Sequence, residues 1–444
     1  MTTRTHALLQ QFRHTLHSWW RSPFARNVAA TASGTALAQA ISLATFPLLT
    51  RLYGPEPLGV LGIFNALVLA TAAVSAMSYP LAIVLPRAVR EARTLARLSL
   101  SLGVVSALLA GLVLLAWGPQ LLAGLNAEAL LPWALLIPVG MLAGVCAQVL
   151  SQWLSRHQAF GLAARFTVLG SVLSNGLRAM LGFTHPSAAA LILAGLAGSV
   201  AATLLAWLRW RRTPQALEPA TGAASAWAPL AWRYRDFPTL RTPQDTLNAL
   251  SQTAPLMLLA AAYGSGTAGQ YTLAMLAVGA PVALMGQSVG TVFYPRVTAL
   301  VQERRNPAAA IWRATRALAI GAAVPFIVLA IAGPSLFGVL FGAAWEQAGE
   351  FARWLSPWLF LQLVNKPAVA AIPALRLQGG LLVYELASTG SKLLALWLGW
   401  QLALGEVASV ALFSAVGSLA YLWLIAWVLV RARPTAPNHP TPPS

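Results

Sequence analysis

Charge is what this sequence has least of. Only 9% of its 444 residues are Asp, Glu, Lys or Arg, against roughly 25% in soluble globular chains. Acids are the scarcer sign: 11 Asp and Glu stand against 29 Lys and Arg, a net charge of +18. There is one cysteine, Cys146, so neither an internal disulfide nor a cysteine metal cluster can form. The six histidines are scattered and show no metal-ligand spacing. No Gly-x4-Gly-Lys-Ser/Thr segment occurs, so ATP is not bound through a P-loop of this chain. These shortages exclude a soluble enzyme, a disordered chain and a disulfide scaffold. What the chain has is apolar surface: 58% of residues are hydrophobic and the mean hydropathy is +0.67. That composition belongs to a polytopic, all-α membrane protein.

An apolar helix crosses about 30 Å of hydrocarbon in about 20 residues, at roughly 1.5 Å per residue. Runs of that length fall near 27–49, 58–79, 98–117, 131–152, 160–182, 187–208, 243–262, 268–293, 315–336, 351–373, 380–402 and 407–430, twelve spans in all. The fifth and seventh are the most polar. Residues 1–26 lack the apolar core and cleavage site of a secretory leader. Within them, 7–24 interleave Leu8, Leu9, Phe12, Leu16, Trp19 and Trp20 with Arg13, His14, His17 and Arg21. This suits a basic amphipathic helix lying on a membrane, or a partly ordered tail. The far end, 431–444, is proline-rich and expected to be disordered.

The placement of the arginines tests the span count. Twenty-four of the 29 cations fall in the N-terminal segment, alternate connections and the C-terminal tail, all on one side of a twelve-span chain. The opposite connections hold Arg51, Glu56, Glu128, Glu346 and Glu406. Both termini are therefore expected in the cytoplasm, and the charge excess reads as a topology signal rather than a nucleic-acid footprint. The longest internal connection, 209–242, carries Pro214, Pro219, Gly222 and a Thr/Ala/Ser stretch, the composition of a linker. It divides an N-lobe, 27–208, from a C-lobe, 243–430.

An internal repeat supports that division. Tyr53-Gly54 is followed by Gly59, and Tyr263-Gly264 by Gly269, at a constant offset of 210 residues. Pro86-Arg87 and Pro295-Arg296 end the next spans, one residue out of step. Six spans per lobe is an even number, so the lobes share one orientation and a pseudo-two-fold along the membrane normal. Residues 264–269 also match Gly-x-Gly-x-x-Gly, but without the strand that a dinucleotide site requires. They read as a tight turn between membrane helices.

Polar groups inside spans carry the functional expectation, because charge there is costly. Lys366 lies in the tenth span, Glu385 and Lys392 in the eleventh, and Arg178 in the fifth. Glu385 and Lys392 are two turns apart on one helix face, with Lys392 roughly 18 Å and Lys366 roughly 10 Å from the cytoplasmic end of their spans. Snorkelling to an interface is the competing reading for Lys366 and Arg178. Two polar stripes occupy equivalent places in the repeat: Thr31, Thr35, Gln39 and Ser42 on the first span, Asp245, Asn248, Ser251 and Gln252 on the seventh. A water-filled cavity shared by the lobes accounts for that correspondence; interhelical packing bonds are the alternative. Pro80, Pro86, Pro281, Pro295, Pro357, Pro367 and Pro373 invite bends within or at the ends of spans.

An ordered set of segments resembles one family. It runs through Leu49-Thr50-Arg51-Leu52-Tyr53-Gly54-Pro55, Leu81-Ala82-Ile83-Val84-Leu85-Pro86, Tyr234-Arg235-Asp236-Phe237-Pro238, Asn248-Ala249-Leu250-Ser251-Gln252 and Phe293-Tyr294-Pro295-Arg296. It continues through Gly333-Pro334, Phe341-Gly342, Trp345, Ala348-Gly349-Glu350 and Ser356-Pro357-Trp358-Leu359-Phe360-Leu361-Gln362. Over 27–430 these resemble O-antigen and exopolysaccharide flippases of the multidrug/oligosaccharidyl-lipid/polysaccharide (MOP) exporter superfamily. The resemblance implies two six-helix lobes around a cavity, and movement of an undecaprenyl-diphosphate-linked oligosaccharide across the bacterial inner membrane. It implies no cofactor and no catalytic residue. Partners would be the lipid-linked substrate, membrane lipid, and the polymerase and glycosyltransferases of the same pathway. Ser78-Tyr79-Pro80 departs from the family's Arg-Tyr-Glu, and Lys366 replaces a small uncharged residue. A cation-coupled multidrug exporter of the same fold would need more intramembrane acid than Glu385 and Asp245. A polysaccharide polymerase or ligase would need a sizeable periplasmic loop. The expected cavity residues are Lys392, Glu385, Arg178, Lys366, Gln39, Asn248, Ser251, Gln252 and Asp245.

Overall fold

The computed structural model of the chain describes residues 23–213, 226–303 and 305–432. The surface helix expected over 7–24, the middle of the linker and the proline-rich tail thus lie essentially outside the described residues. Every regular element among the described residues is helical. In chain order they are α1 (Pro23–Leu52), α2 (Pro55–Ser75), α3 (Tyr79–Ala82), α4 (Val89–Ala123), α5 (Leu136–Arg156), α6 (Phe160–Thr184), α7 (Ala188–Arg211) and α8 (Trp227–Arg233). There follow α9 (Thr242–Tyr263), α10 (Ser265–Ala274), α11 (Ala280–Gln302), α12 (Pro307–Phe341), α13 (Glu346–Val364), α14 (Lys366–Ala371), α15 (Gln378–Gln401) and α16 (Glu406–Arg431). Among the described residues, eight stretches are long and apolar enough to cross a membrane. The helices α1, α6, α9 and α13 coincide with the first, fifth, seventh and tenth expected spans but are not among those eight.

Local chemistry sets the helix ends. Pro55 and Pro307 open their helices at a position where the missing N–H is not needed. Asn306 Oδ1 accepts from Ala308 N at 2.9 Å, and Ser187 Oγ from Ala190 N at 3.2 Å, capping α12 and α7. The turn after α9 needs Gly264 at φ +89, the only residue type that takes that backbone without strain. Helices α10 and α11 are joined by a π-turn over Met275–Gly279, next to Pro281, where the ring removes a donor. The second span, expected as one helix to residue 79, is broken instead. Met77 and Ser78 take φ of 50° and 53°, and the chain restarts as α3.

By packing, the chain forms two compact units. The first comprises the described residues up to Tyr53 with 63–253, and the second comprises 54–62 with the described residues from 254 onward. In the first, α6 packs on both α1 and α7. Close approach there depends on Gly34 against Ala164 and Gly198 against Ser174, where a Cβ would overlap its neighbour. In the second, α12 packs on α13 with Gly333 and Gly349 backbone to backbone, and α16 packs on α13 and α15. The repeat glycines meet within this second unit. A Cβ on Gly59 would strike the Ser265 carbonyl, and one on Gly269 would strike the Pro55 carbonyl. The two contacts are images of each other under the 210-residue offset, so the start of α2 and α10 are related by a local two-fold.

Candidate functional site

In the first unit, buried polar groups are consumed by packing. Asn175 Nδ2 donates to Ser42 Oγ at 3.1 Å, Ser42 Oγ lies 3.1 Å from Ser171 Oγ, and Ser171 Oγ donates to the Ala38 carbonyl at 2.8 Å. This node ties α1 to α6. Arg178 Nε donates to the Leu191 carbonyl at 3.2 Å, and its guanidinium lies against Gly195 of α7. The Arg178 carbonyl accepts from Tyr53 OH at 2.8 Å. Arg178 therefore joins α1, α6 and α7 and is spent there. Arg156, counted in the sequence only as a topology charge, points its guanidinium at the carbonyls of Ile83, Val84, Pro86 and Arg87. It clamps the irregular chain after α3, where no helix satisfies those oxygens.

The α9 stripe divides in the same unit. Asp245 pairs with Arg241 at 3.0 Å and accepts from Ser78 Oγ at 3.0 Å, while Thr242 Oγ1 donates to Ser78 Oγ at 3.2 Å. The Ser78 turn is thereby pinned to the start of α9, and Asp245 is occupied. Asn248 and Gln252 are exposed, and Ser251 and Gln39 are half-buried. None of the four is hydrogen-bonded through its side chain to a described residue, so these remain the open polar groups of the two stripes.

The second unit holds the charged residues of α14 and α15. The stem of Lys366 crosses Gly286 of α11. It follows Asn365, buried at the break between α13 and α14 with Oδ1 unpartnered among the described residues. Lys392 Nζ lies 5.4 Å from the Trp358 ring centroid and 5.8 Å from that of Phe413. Those two rings meet edge-to-face at 5.2 Å. Gly417 lets the Lys392 stem and Trp358 close on α16 together, since a Cβ there would overlap both. Ser414 and Ser418 share that helix face by spacing. The Ser414 and Ser418 hydroxyls and Trp358 Nε1 are buried without a partner among the described residues.

Glu385 is exposed, and no ion pair joins it to Lys392 among the described residues. Two turns of helix put both on one face but leave them out of reach. Glu385 lies instead within electrostatic range of Tyr384 and Tyr421, and Tyr421 OH accepts from Gln362 Nε2 at 3.3 Å. At the other end of α16, Glu406 is bonded by Thr267 and Gln347 and is structural. The arrangement around Lys392 is thus a cation over aromatic faces, with donors and hydroxyls nearby that internal bonding leaves free. Such a set can take anionic oxygens by charge-assisted hydrogen bonds. Sequence reasoning missed Trp358, Phe413, Ser414 and Ser418. The available signal was the run Ser414, Gly417, Ser418, small residues at helical spacing that admit a bulky neighbour. No group of three or more His, Cys, Asp or Glu able to hold a metal occurs among the described residues.

Comparison with known proteins gives consistent results. An inward-facing multidrug resistance MATE family transporter of the MOP superfamily superposes with a TM-score of 0.66 at 16% identity, covering 90% of this chain and 94% of that one. The lipid II flippase MurJ, in an inward closed conformation, superposes with a TM-score of 0.68 at 11% identity, covering 90% and 87%. A MOP superfamily transporter from Pyrococcus furiosus, described as having a binding pocket of reverse polarity, gives 0.58 at 14% identity, covering 91% and 95%. At these identities the likeness shows the fold, that of MOP superfamily transporters. No curated protein matches in sequence. A family profile described as polysaccharide biosynthesis protein matches residues 48–350, well over half of the chain. The chain belongs to the polysaccharide biosynthesis protein family.

Proposed function

We propose that this protein moves an undecaprenyl-diphosphate-linked oligosaccharide from the cytoplasmic to the periplasmic leaflet of a bacterial inner membrane by alternating access. The observation that carries this reading is Lys392, an intramembrane cation with no carboxylate partner among the described residues, held over Trp358 and Phe413. A cation at the middle of a span costs about 2.5–3.5 kcal/mol on insertion scales. A diphosphate offsets that cost, and the cation offsets the desolvation of the diphosphate. Lys366 is a further cation of the second unit, and Gln39, Asn248, Ser251 and Gln252 are open polar groups of the first, each suited to sugar or phosphate oxygens. Arg178 and Asp245 have a positioning role in this reading, since both are engaged within the first unit. The engagement of Asp245 leaves Glu385 as the one unpaired acid of the expected cavity set among the described residues, less than cation-coupled drug export would call for.

The arginine distribution supports cytoplasmic termini, an N-lobe over 27–208, a cytoplasmic connection over 209–242 and a C-lobe over 243–430. Fusion reporters placed after Arg212 and after Gly342 are expected in opposite compartments; the same compartment for both would defeat the twelve-span topology. Proteoliposomes holding the full chain test the activity. A polyprenyl-diphosphate-linked oligosaccharide is expected to become accessible to a membrane-impermeant glycosidase in the far leaflet, whereas efflux of a cationic dye is not. Dye efflux without glycolipid movement would replace this reading with drug export.

A further inference from the structure

The first unit carries a groove that the proposed substrate site does not use. It lies among α4, α5 and α7 and encloses about 1040 Å³. On α5 the small residues Ala143 and Cys146 line it, beside bulkier Leu and Trp side chains. Along α5 the lining runs from Val139 to Trp153, roughly 21 Å at 1.5 Å per residue. Half of the hydrocarbon thickness is about 15 Å, so the groove accommodates an extended acyl chain from one interface past mid-depth.

The groove is strongly asymmetric in charge. Arg93, Arg97 and Arg211 line it, all near its Trp153 end, and it has no acidic lining residue. None of the three is in an ion pair among the described residues. The one acid on the first turn of α4, Glu91, is taken by Arg233 at 3.1 Å. Arg211 is held over the Trp207 ring with its guanidinium carbon 4.5 Å from the centroid, which fixes the fork at the rim. An apolar groove alone would be filled by any lipid tail. Three unpaired guanidinium groups at one end of it select the headgroup.

We propose that this groove binds one anionic phospholipid, its phosphate held by Arg93, Arg97 and Arg211 and one acyl chain laid along the α5 floor. Transfer of the tail is from hydrocarbon to hydrocarbon and discriminates little between lipids. Selectivity comes from the headgroup, through bidentate Arg–phosphate bonds at the interface. The lipid bridges α4, α5 and α7 at their arginine-bearing ends and so braces the first unit.

Native mass spectrometry of the full chain in detergent, with equimolar phosphatidylglycerol and phosphatidylcholine, tests this. One phosphatidylglycerol is expected to be retained at least fivefold over phosphatidylcholine. Arg97→Gln with Arg211→Gln, both at exposed positions, is expected to reduce the preference to less than twofold. Ala143→Phe, which fills the floor and leaves all three arginines, is expected to lower retention of the bound lipid at least threefold. Equal retention of the two lipids by the unmodified chain, or an unchanged preference in the double variant, would overturn the proposal. Displacement of the bound phosphatidylglycerol by equimolar undecaprenyl phosphate would also overturn it, assigning the groove to the polyprenyl carrier instead.

Discussion

The two units differ in how their buried polar side chains are satisfied: among the described residues, those left without a partner all lie in the second. In the first, Ser42, Ser171 and Asn175 bond one another, and Arg178 and Arg156 are spent on backbone carbonyls. In the second, Lys392 sits on aromatic faces, and Trp358 Nε1 and the hydroxyls of Ser414 and Ser418 have no internal partner among the described residues. Hydrocarbon offers no water to make up the difference, so internal closure is the stable solution and an open cluster is the exception. The contrast separates groups that hold helices together from groups available to a ligand. It predicts that substitutions of the bonded groups of the first unit, Ser42, Asn175, Arg156 and Arg178, cost stability, and that those around Lys392 cost transport.

The largest loss of stability is expected from Arg156→Ala. Four carbonyls lose their charged donor, and the chain after α3 has no other means of satisfying them. About 3 kcal/mol is expected, from charge-assisted bonds worth about 1.5–3 kcal/mol each that are partly replaced by water. Thermal unfolding in detergent reads it; an unshifted melting temperature would show that the clamp is incidental. Arg178→Met comes next at about 2 kcal/mol, for the lost charge-assisted bond to the Leu191 carbonyl of α7. Transport per folded molecule is expected to be retained, and its selective loss would place Arg178 with the substrate instead. Ser42→Ala is smaller, at about 1 kcal/mol, because Asn175 keeps its other two acceptors. Ser414→Ala and Ser418→Ala break no bond and are expected to leave the melting temperature unchanged. A clear destabilisation by either would close the supposedly open cluster.

Hydropathy alone located the long helices, because the membrane imposes length and composition at once. It underestimated how far they extend. Apolar runs at 98–117 and 315–336 are the middles of the 35-residue helices α4 and α12. Helix continues past the hydrocarbon into turns that carry arginine, and hydropathy is blind to those. The break at Met77 and Ser78 was hidden because neither residue is a usual carrier of positive φ; the bonds from Ser78 to Asp245 and Thr242, which hold it, come from a segment about 165 residues away. The repeat was legible in Gly59 and Gly269 as identities at an offset, yet their mutual contact is a property of three-dimensional packing.

The candidate site was legible only at its charge. Lys392 stands out in an apolar span, but its surroundings come from α13 and α16, and no spacing within α15 reports them. Helical periodicity placed Glu385 and Lys392 on one face and could say nothing of their separation, which leaves Glu385 outside pairing distance. The arginines showed the opposite problem. As a class they carry one topological message, so the particular tasks of Arg156 on carbonyls and of Arg93, Arg97 and Arg211 on the groove were invisible until the chain was folded.

The most direct test of the contrast between the units is the transport rate per folded molecule of Lys392→Ala beside Lys392→Arg, in proteoliposomes matched for protein. Movement of the polyprenyl-diphosphate-linked oligosaccharide is expected to fall at least tenfold in the Ala variant. The Arg variant should be intermediate, since it keeps the charge but not the compact ammonium geometry. The melting temperature should stay within a few degrees of the parent for both. Full transport by Lys392→Ala at equal protein abundance would contradict the account, as would a Lys392→Ala protein that fails to fold.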